Sequence, residues 1–175
     1  EMLTRDWSSD VCSSDLAPTV ARLAQALRAR GWVMSCAESC TGGLVAAACT
    51  SLAGASQWFE CGFITYSNAA KTAMLGVPAH LIAAHGAVSE AVARAMAEGA
   101  AQRARTHASL AITGIAGPAG GIPGKPVGTV WFGWCVDGEV SAQRQIFTGG
   151  RDQVRQQAVQ CALQGLLERV EVCSL

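Results

Sequence analysis

Apolar positions along the chain alternate between a helical period and short continuous runs. After Pro18, apolar residues recur at positions 20, 23, 24 and 27 until Gly31 interrupts them, and this spacing predicts an amphipathic helix. Residues 33–37 form a short apolar run, which predicts a buried strand. A polar loop at 38–43 separates this strand from a second predicted helix at 44–52, and that strand–loop–helix order is typical of an α/β sheet.

The same alternation continues towards the end of the chain. Further strands are predicted at residues 59–66, 110–113, 129–136 and 140–147, and further helices at 69–75, 89–105 and 152–170. Asp137-Gly138 between the last two strands is a favoured two-residue hairpin turn. The pattern predicts a three-layer α/β/α fold in a single domain at 17–175, with a mixed sheet of about five strands that includes a C-terminal antiparallel hairpin.

The first sixteen residues differ from the rest of the chain. They repeat the triplet Ser-Ser-Asp and hold three of the five aspartates. We expect residues 1–16 to be a non-native addition that plays no part in the fold. A disordered native arm is the alternative.

Composition excludes several classes of protein. Thirteen basic residues balance thirteen acidic ones, so no net charge favours nucleic acid as a partner. Residues 39–59 carry no charge and are long enough to span a bilayer, but they contain several serines, threonines and glycines, which argue against a membrane helix. Because no secretory signal pattern is present, the sequence predicts a cytoplasmic protein without a membrane partner.

The usual metal, cofactor and hydrolase motifs are missing from the sequence. The eight cysteines include no C-x-x-C pair, and most of them lie in apolar segments, where they are expected to be reduced and buried. The dinucleotide fingerprint, the Walker loop and the G-x-S-x-G elbow do not occur. The sequence therefore predicts neither a metal nor a cofactor.

The loop at 37–43, AESCTGG, is the first candidate for chemistry. It supplies the Ser39 hydroxyl, and then Thr41, Gly42 and Gly43 at the start of a helix, where free backbone N–H groups suit an oxyanion or a phosphate. Simple helix capping is the alternative function of these residues. Cys40 is a rival nucleophile, although a buried structural thiol is the commoner case.

A second candidate loop covers residues 113–128. It begins with Thr113 and contains Gly114, Gly117, Gly120 and Gly121, which allow a ligand to approach the backbone closely. A long surface connection is the alternative. Because both loops follow short apolar strands, we expect them to meet at one edge of the sheet and to form a site.

Lysine and tyrosine are scarce in this chain, which has eleven arginines. The only lysines are Lys71 and Lys125, and the only tyrosine is Tyr66. A desolvated lysine amine can act as a neutral base, whereas a guanidinium cannot be deprotonated. Tyr66 and Lys71 are five residues apart, so both side chains could reach one cleft. The alternative is that the two lysines are ordinary surface groups.

Six sequence blocks together resemble one known family. They are AESCTGG at 37–43, ITYSNAAK at 64–71, GAVSE at 86–90, TGIAGPAGG at 113–121, KPVG at 125–128 and GGRDQVR at 149–155. In this order they are similar to the signature blocks of the CinA C-terminal domain family, and the resemblance extends over residues 18–170.

The resemblance implies an enzyme of pyridine nucleotide recycling. Stand-alone members of the family hydrolyse the carboxamide of nicotinamide mononucleotide to nicotinate mononucleotide and ammonia, without a metal. By similarity, Ser39 would be the nucleophile, and Lys71 with Tyr66 would activate it and pass the proton to the departing ammonia. The amides of residues 41–43 would hold the oxyanion. The loop at 113–121, Lys125 and Arg151 are candidates for binding the substrate phosphate.

Two questions stay open at the level of sequence. A non-catalytic nucleotide-binding accessory module of the competence-associated CinA type is the alternative function. The family resemblance also implies a homodimer. Trp58, Trp131 and Trp134 are candidates for an exposed dimer interface, although packing in the core would explain these aromatic residues equally well.

Overall fold

A computed structural model describes residues 16–173, so the segment predicted to lie outside the fold falls, apart from Leu16, outside the described residues. The helices span Ala17–Ala29 (α1), Leu44–Thr50 (α2), Asn68–Leu75 (α3), Ala79–His85 (α4), Glu90–Ala104 (α5) and Arg151–Val172 (α6). The strands span Met34–Glu38 (β1), Phe59–Ile64 (β2), Ala108–Gly114 (β3), Thr129–Val136 (β4) and Glu139–Ile146 (β5).

The five strands form one mixed sheet in the order β2-β1-β3-β4-β5. Strands β2, β1 and β3 are parallel, whereas β4 is antiparallel to both β3 and β5. One core cluster joins α1, α2 and α6 to one face of the sheet, and a second joins α3, α4 and α5 to the other. These layers confirm the predicted α/β/α fold with its mixed sheet and C-terminal hairpin.

Some elements differ from the sequence prediction. Helix α4 and a short 3₁₀ helix at Ala55–Gln57 were not predicted. Neither shows an amphipathic pattern that would predict it, because α4 buries Ile82 alone and the 3₁₀ helix buries no residue. The strand predicted at 110–113 begins earlier, at Ala108, because the buried Ser109 hydroxyl donates to the Ala97 carbonyl oxygen 2.6 Å away, which allows a polar residue to lie inside the core.

The prediction of an exposed interface was wrong for two of the three tryptophans. Trp58 and Trp134 are 0% and 1% exposed, so both belong to the core, and Trp131 is half-buried. Trp134 is enclosed because Gly165 leaves room for its ring and because its Nε1 donates to the Ala162 carbonyl oxygen at 2.9 Å. The homodimer stays a prediction.

Two expectations from composition concerned membrane helices and cysteines. None of the helices between residues 16 and 173 is both long enough and apolar enough to cross a bilayer. The seven cysteines of that region are free thiols.

Candidate active site

The carboxyl ends of the three parallel strands meet at one edge of the sheet. The N–H of Ser39, directly after β1, donates to the Ile112 carbonyl oxygen of β3 at 3.0 Å. On the other side, the Thr65 N–H donates to the Glu38 carbonyl oxygen at 2.8 Å. Loops that leave neighbouring parallel strands at the same end are brought together in this way.

Ser39 and Lys71 form a buried pair at this edge. Lys71 Nζ lies 3.0 Å from Ser39 Oγ, and the two residues are 1% and 8% exposed. Lys71 belongs to α3, whose first turn is capped by Ser67, which accepts a hydrogen bond from the Ala70 N–H. The structure therefore brings together two residues that are 32 positions apart in the sequence.

Burial shifts the amine of Lys71 towards its neutral form. Its Nζ also lies 2.8 Å from the Thr65 carbonyl oxygen and 3.3 Å from the Tyr66 carbonyl oxygen. Burial lowers the pKa of Lys71 from its ordinary value. Among the described residues no carboxylate forms a salt bridge with it. A neutral amine can donate to the two carbonyl oxygens and accept the Ser39 hydroxyl proton.

A cavity of about 200 Å³ opens next to this pair. It is lined by residues from all three strand ends and from α6, namely Ser39, Cys40, Tyr66, Asn68, Lys71, Ala87, Val88, Thr113, Gly114, Ala116 and Arg151. Six of the residues predicted from the sequence to act in catalysis or binding therefore line one cavity.

Gly114 and Thr113 form one wall of the cavity. A Cβ at Gly114 would lie 2.8 Å from Val130 Cγ2 and 3.2 Å from Cys40 Sγ. A larger residue at this position would therefore displace β4 or the loop that contains Ser39. The Thr113 hydroxyl donates to the Ala87 carbonyl oxygen at 2.8 Å. This wall is therefore held at close packing distance from the Ser39 loop.

Arg151 provides positive charge in the lining of the cavity. Its guanidinium donates to the Gly117 carbonyl oxygen at 2.9 Å and to the Tyr66 hydroxyl at 3.3 Å. Tyr66 is 65% exposed. Its backbone carbonyl contacts Lys71, whereas its phenol contacts Arg151. The phenol is thus placed at the entrance of the cavity.

Several other predicted residues do not line the cavity. The Gly42 N–H donates to the Ser39 carbonyl oxygen, and the Gly43 N–H donates to a carboxylate oxygen of Glu38. Thr41 is fully buried, and its hydroxyl also donates to Glu38. These groups hold the loop in shape.

The second loop is only partly at the cavity. Gly117 contributes its carbonyl oxygen to Arg151, and Gly120 and Gly121 lie outside the lining. Lys125 is held elsewhere, because its Nζ donates to the His85 carbonyl oxygen at 2.9 Å.

Cys40 is poorly suited to be the nucleophile. It is 6% exposed, and burial raises the pKa of its thiol to about 11. The thiolate is the nucleophilic form of cysteine, and very little of it exists at neutral pH with such a pKa. Ser39, with an amine at hydrogen-bond distance, is the better candidate.

Sequence reasoning missed three residues of this region. Glu38 anchors the Ser39 loop, Arg155 donates to the Cys40 and Thr41 carbonyl oxygens at 3.1 and 3.3 Å, and Asn68 lines the cavity. The one available signal was the charge of Glu38 directly after an apolar strand, because buried carboxylates are rare unless they are partnered.

The chain is similar to known proteins over most of its length. Residues 16–170 match the CinA C-terminal domain family. The nicotinamide-nucleotide amidohydrolase PncC of Escherichia coli (strain K12) is 51% identical over 157 residues, which cover 89% of this chain and 95% of that protein. A CinA-like protein of Syntrophobacter fumaroxidans is 54% identical over 137 residues, 78% of this chain but 32% of that protein.

Solved structures share the fold. The crystal structure of a competence-damaged protein (CinA) superfamily protein from Klebsiella pneumoniae 700603 superposes with a TM-score of 0.86 at 42% identity, covering 89% of this chain and 98% of that one.

Proposed function

Because this chain belongs to the CinA C-terminal domain family, we propose that it is a nicotinamide-nucleotide amidohydrolase that converts nicotinamide mononucleotide to nicotinate mononucleotide and ammonia. The observation that carries the proposal is the buried contact of 3.0 Å between Lys71 Nζ and Ser39 Oγ beside a cavity. An unreactive amide requires an activated hydroxyl, and this pair is suited to supply one.

In the first half of the proposed reaction, the Ser39 hydroxyl attacks the carboxamide carbon. Neutral Lys71 accepts the hydroxyl proton as the oxygen–carbon bond forms. The tetrahedral intermediate then collapses, the carbon–nitrogen bond breaks, and Lys71 returns the proton to the departing nitrogen. The products of this half are ammonia and an ester between Ser39 and the nicotinoyl group.

Water completes the reaction in the second half. Lys71 accepts a proton from the water as it attacks the ester, and then protonates Ser39 Oγ as the acid is released. The Cys40 N–H is our candidate donor to the oxyanion. Cys40 lines the cavity, and within residues 16–173 this N–H donates to no carbonyl or side chain of another residue.

Arg151 is the candidate for binding the substrate phosphate. Its guanidinium lines the cavity rim, and a planar guanidinium can form two parallel hydrogen bonds to a phosphate. Tyr66, which contacts the same guanidinium and is largely exposed, would pack against the sugar or the ring of the nucleotide.

The proposal is tested with purified protein, nicotinamide mononucleotide and a metal chelator, by following ammonia and nicotinate mononucleotide. We expect turnover by the wild type and by Cys40→Ala, but none above background by Ser39→Ala, because, of these two side chains, only that of Ser39 is hydrogen-bonded to Lys71 Nζ. The two variants are matched, since each removes one heavy atom from neighbouring residues of the same loop.

Two other outcomes would change the assignment. Loss of turnover in Cys40→Ala with full turnover in Ser39→Ala would make Cys40 the nucleophile. A folded wild type that binds the nucleotide but releases no ammonia would favour the accessory-module function.

A further inference from the structure

Glu38 is a buried carboxylate that the proposed reaction does not use. It is fully buried at the end of β1, directly before Ser39. Its Oε2 accepts from the Thr41 hydroxyl at 2.6 Å, the Gly43 N–H at 3.0 Å and the Val45 N–H at 3.2 Å, and its Oε1 accepts from the Ala46 N–H at 3.0 Å.

All the hydrogen-bond partners that the described residues supply to this carboxylate are donors. Three partners are backbone N–H groups, one is a hydroxyl, and the Cys36 thiol lies 3.7 Å from Oε1. An ionised carboxylate only accepts hydrogen bonds, so both of its oxygens fit this environment. Hydrogen bonds to a charged acceptor are also shorter and stronger than neutral ones.

The side chain of Glu38 fixes the loop that carries the nucleophile. Its partners are Thr41 in the middle of that loop, Gly43 at the end of the loop, and residues in the first turn of α2. These hydrogen bonds therefore attach the loop to the end of β1, the strand that it follows. Ser39 lies between the strand and these anchor points, so its backbone position depends on them.

The backbone of the same residue fixes the base. The Glu38 carbonyl oxygen accepts from the Thr65 N–H at 2.8 Å, and the Thr65 carbonyl oxygen accepts from Lys71 Nζ, also at 2.8 Å. The side chain of Glu38 thus holds the loop that contains Ser39, and its backbone is linked to Lys71 through Thr65.

From these contacts we infer that Glu38 is a positioning residue, whose carboxylate sets the separation between Ser39 Oγ and Lys71 Nζ. The expected effect on kcat rests on the proposed amidohydrolase function. The expected effect on the distance between Ser39 Oγ and Lys71 Nζ does not, because this distance can be measured without a substrate.

The test is Glu38→Gln, which keeps the shape of the side chain. An amide nitrogen cannot accept a hydrogen bond, so either the Ala46 N–H or the donors at Oε2 would face another donor. We expect kcat for nicotinamide mononucleotide to fall about 10- to 100-fold, since a displacement of about 1 Å can have this effect. KM should change less than about twofold, because Glu38 does not line the cavity.

A crystal structure of the same variant gives the second measurement. We expect the Ser39 Oγ to Lys71 Nζ distance to exceed the hydrogen-bonding range of about 3.2 Å. Thr41→Val, which removes a single donor to the carboxylate, should produce a smaller change of the same kind and covers the case in which Glu38→Gln does not fold.

Ser109→Ala is the matched control. It removes another buried side-chain hydrogen bond of the parallel strands, the one to the Ala97 carbonyl oxygen, near the start of β3 and not at the carboxyl end where the site lies. It should lower Tm and leave kcat unchanged. A merely structural role for Glu38 would give the same result in Glu38→Gln, and the inference would be overturned.

The proposed function and the positioning role of Glu38 can fail separately. If the wild type does not hydrolyse nicotinamide mononucleotide, the proposed function fails, and the crystal structures still decide the inference. A lengthened Ser39–Lys71 distance in Glu38→Gln would support it, whereas an unchanged distance would overturn it.

Discussion

At the scale of single residues, the site depends on the environment of one amine. Lys71 Nζ contacts two carbonyl oxygens and one hydroxyl, and burial lowers its pKa. A base must be unprotonated to accept a proton, and an ordinary lysine is protonated at neutral pH. The buried position of Lys71 is therefore what would allow it to act as the base.

The pH dependence of activity follows from this environment. Lowering the pH through the pKa of Lys71 protonates the amine, so kcat/KM should fall on the acid side with a slope of about 1. Because burial lowers this pKa, the fall should begin below the ordinary range for lysine. The measurement is kcat/KM for nicotinamide mononucleotide across the pH range in which the protein stays folded.

Lys71→Arg provides the comparison for this profile. Its guanidinium keeps a positive charge at all accessible pH values and cannot act as a neutral base. We expect it to be inactive throughout. Activity in Lys71→Arg, or a wild-type profile that does not fall on the acid side, would contradict the assignment of Lys71 as the base.

The sequence indicated which residue types carry the chemistry but not how the backbone groups are used. Ser39, Lys71 and Tyr66 could be found because a hydroxyl, a scarce lysine and a lone tyrosine are recognisable in the sequence. The Gly43 amide was predicted to face a ligand, and it donates to Glu38 instead. Such competition between a side chain and a ligand for one N–H depends on the folded loop.

At the scale of elements, β4 is packed tightly on both faces. A Cβ at Gly133 would overlap the Ala93 carbonyl oxygen of α5. On the other face, a Cβ at Gly165 of α6 would overlap the Trp134 ring. Two glycines therefore set the spacing between β4 and the two helices packed on it, α5 and α6.

Gly133→Ala tests this packing. Because the overlap is with backbone, which cannot move aside easily, we expect the free energy of unfolding to fall by about 3 kcal/mol. Gly31→Ala is the comparison, since its Cβ would meet open space and only the left-handed backbone, with φ of 64°, is unfavourable. It should lose about 1 kcal/mol. Equal losses in chemical denaturation would contradict the packing argument.

Elements were predicted well where a hydrophobic pattern or a clear end signal marks them. Helix α6 and strand β4 were predicted within two residues because one is 22 residues long and the other is followed by a clear hairpin turn. Helix α4, with seven residues and one buried apolar side chain at Ile82, was missed. Its helical conformation depends on packing against α3 and α5, which a local pattern does not report.

At the scale of the whole molecule, the site combines the first strand with the last helix. Arg155 of α6 donates to the carbonyl oxygens of Cys40 and Thr41, across more than one hundred residues of sequence. A trans peptide bond directs its N–H away from its carbonyl oxygen, so Arg155 also fixes the direction of the Thr41 N–H. No pattern within a single segment predicts a contact of this kind.

The effect of this long-range contact can be measured with two arginines of the same helix. Arg155 holds the Ser39 loop, whereas Arg169 donates to the Ser141 hydroxyl at 2.7 Å and lies over the Trp134 ring at 3.8 Å, away from the cavity. We expect Arg155→Met to lower kcat about 10-fold, because the loop carrying Ser39 loses its contact with α6.

In contrast, Arg169→Met should leave kcat within about twofold of the wild type. It should lower the free energy of unfolding by about 2 kcal/mol, through loss of the cation–π contact and of the hydrogen bonds to the Ser141 hydroxyl and the Gly165 carbonyl oxygen. Steady-state kinetics and chemical denaturation of both variants separate the two effects. If both variants lost activity in proportion to their stability, α6 would only support the fold, and the site would be positioned by the sheet and Glu38 alone.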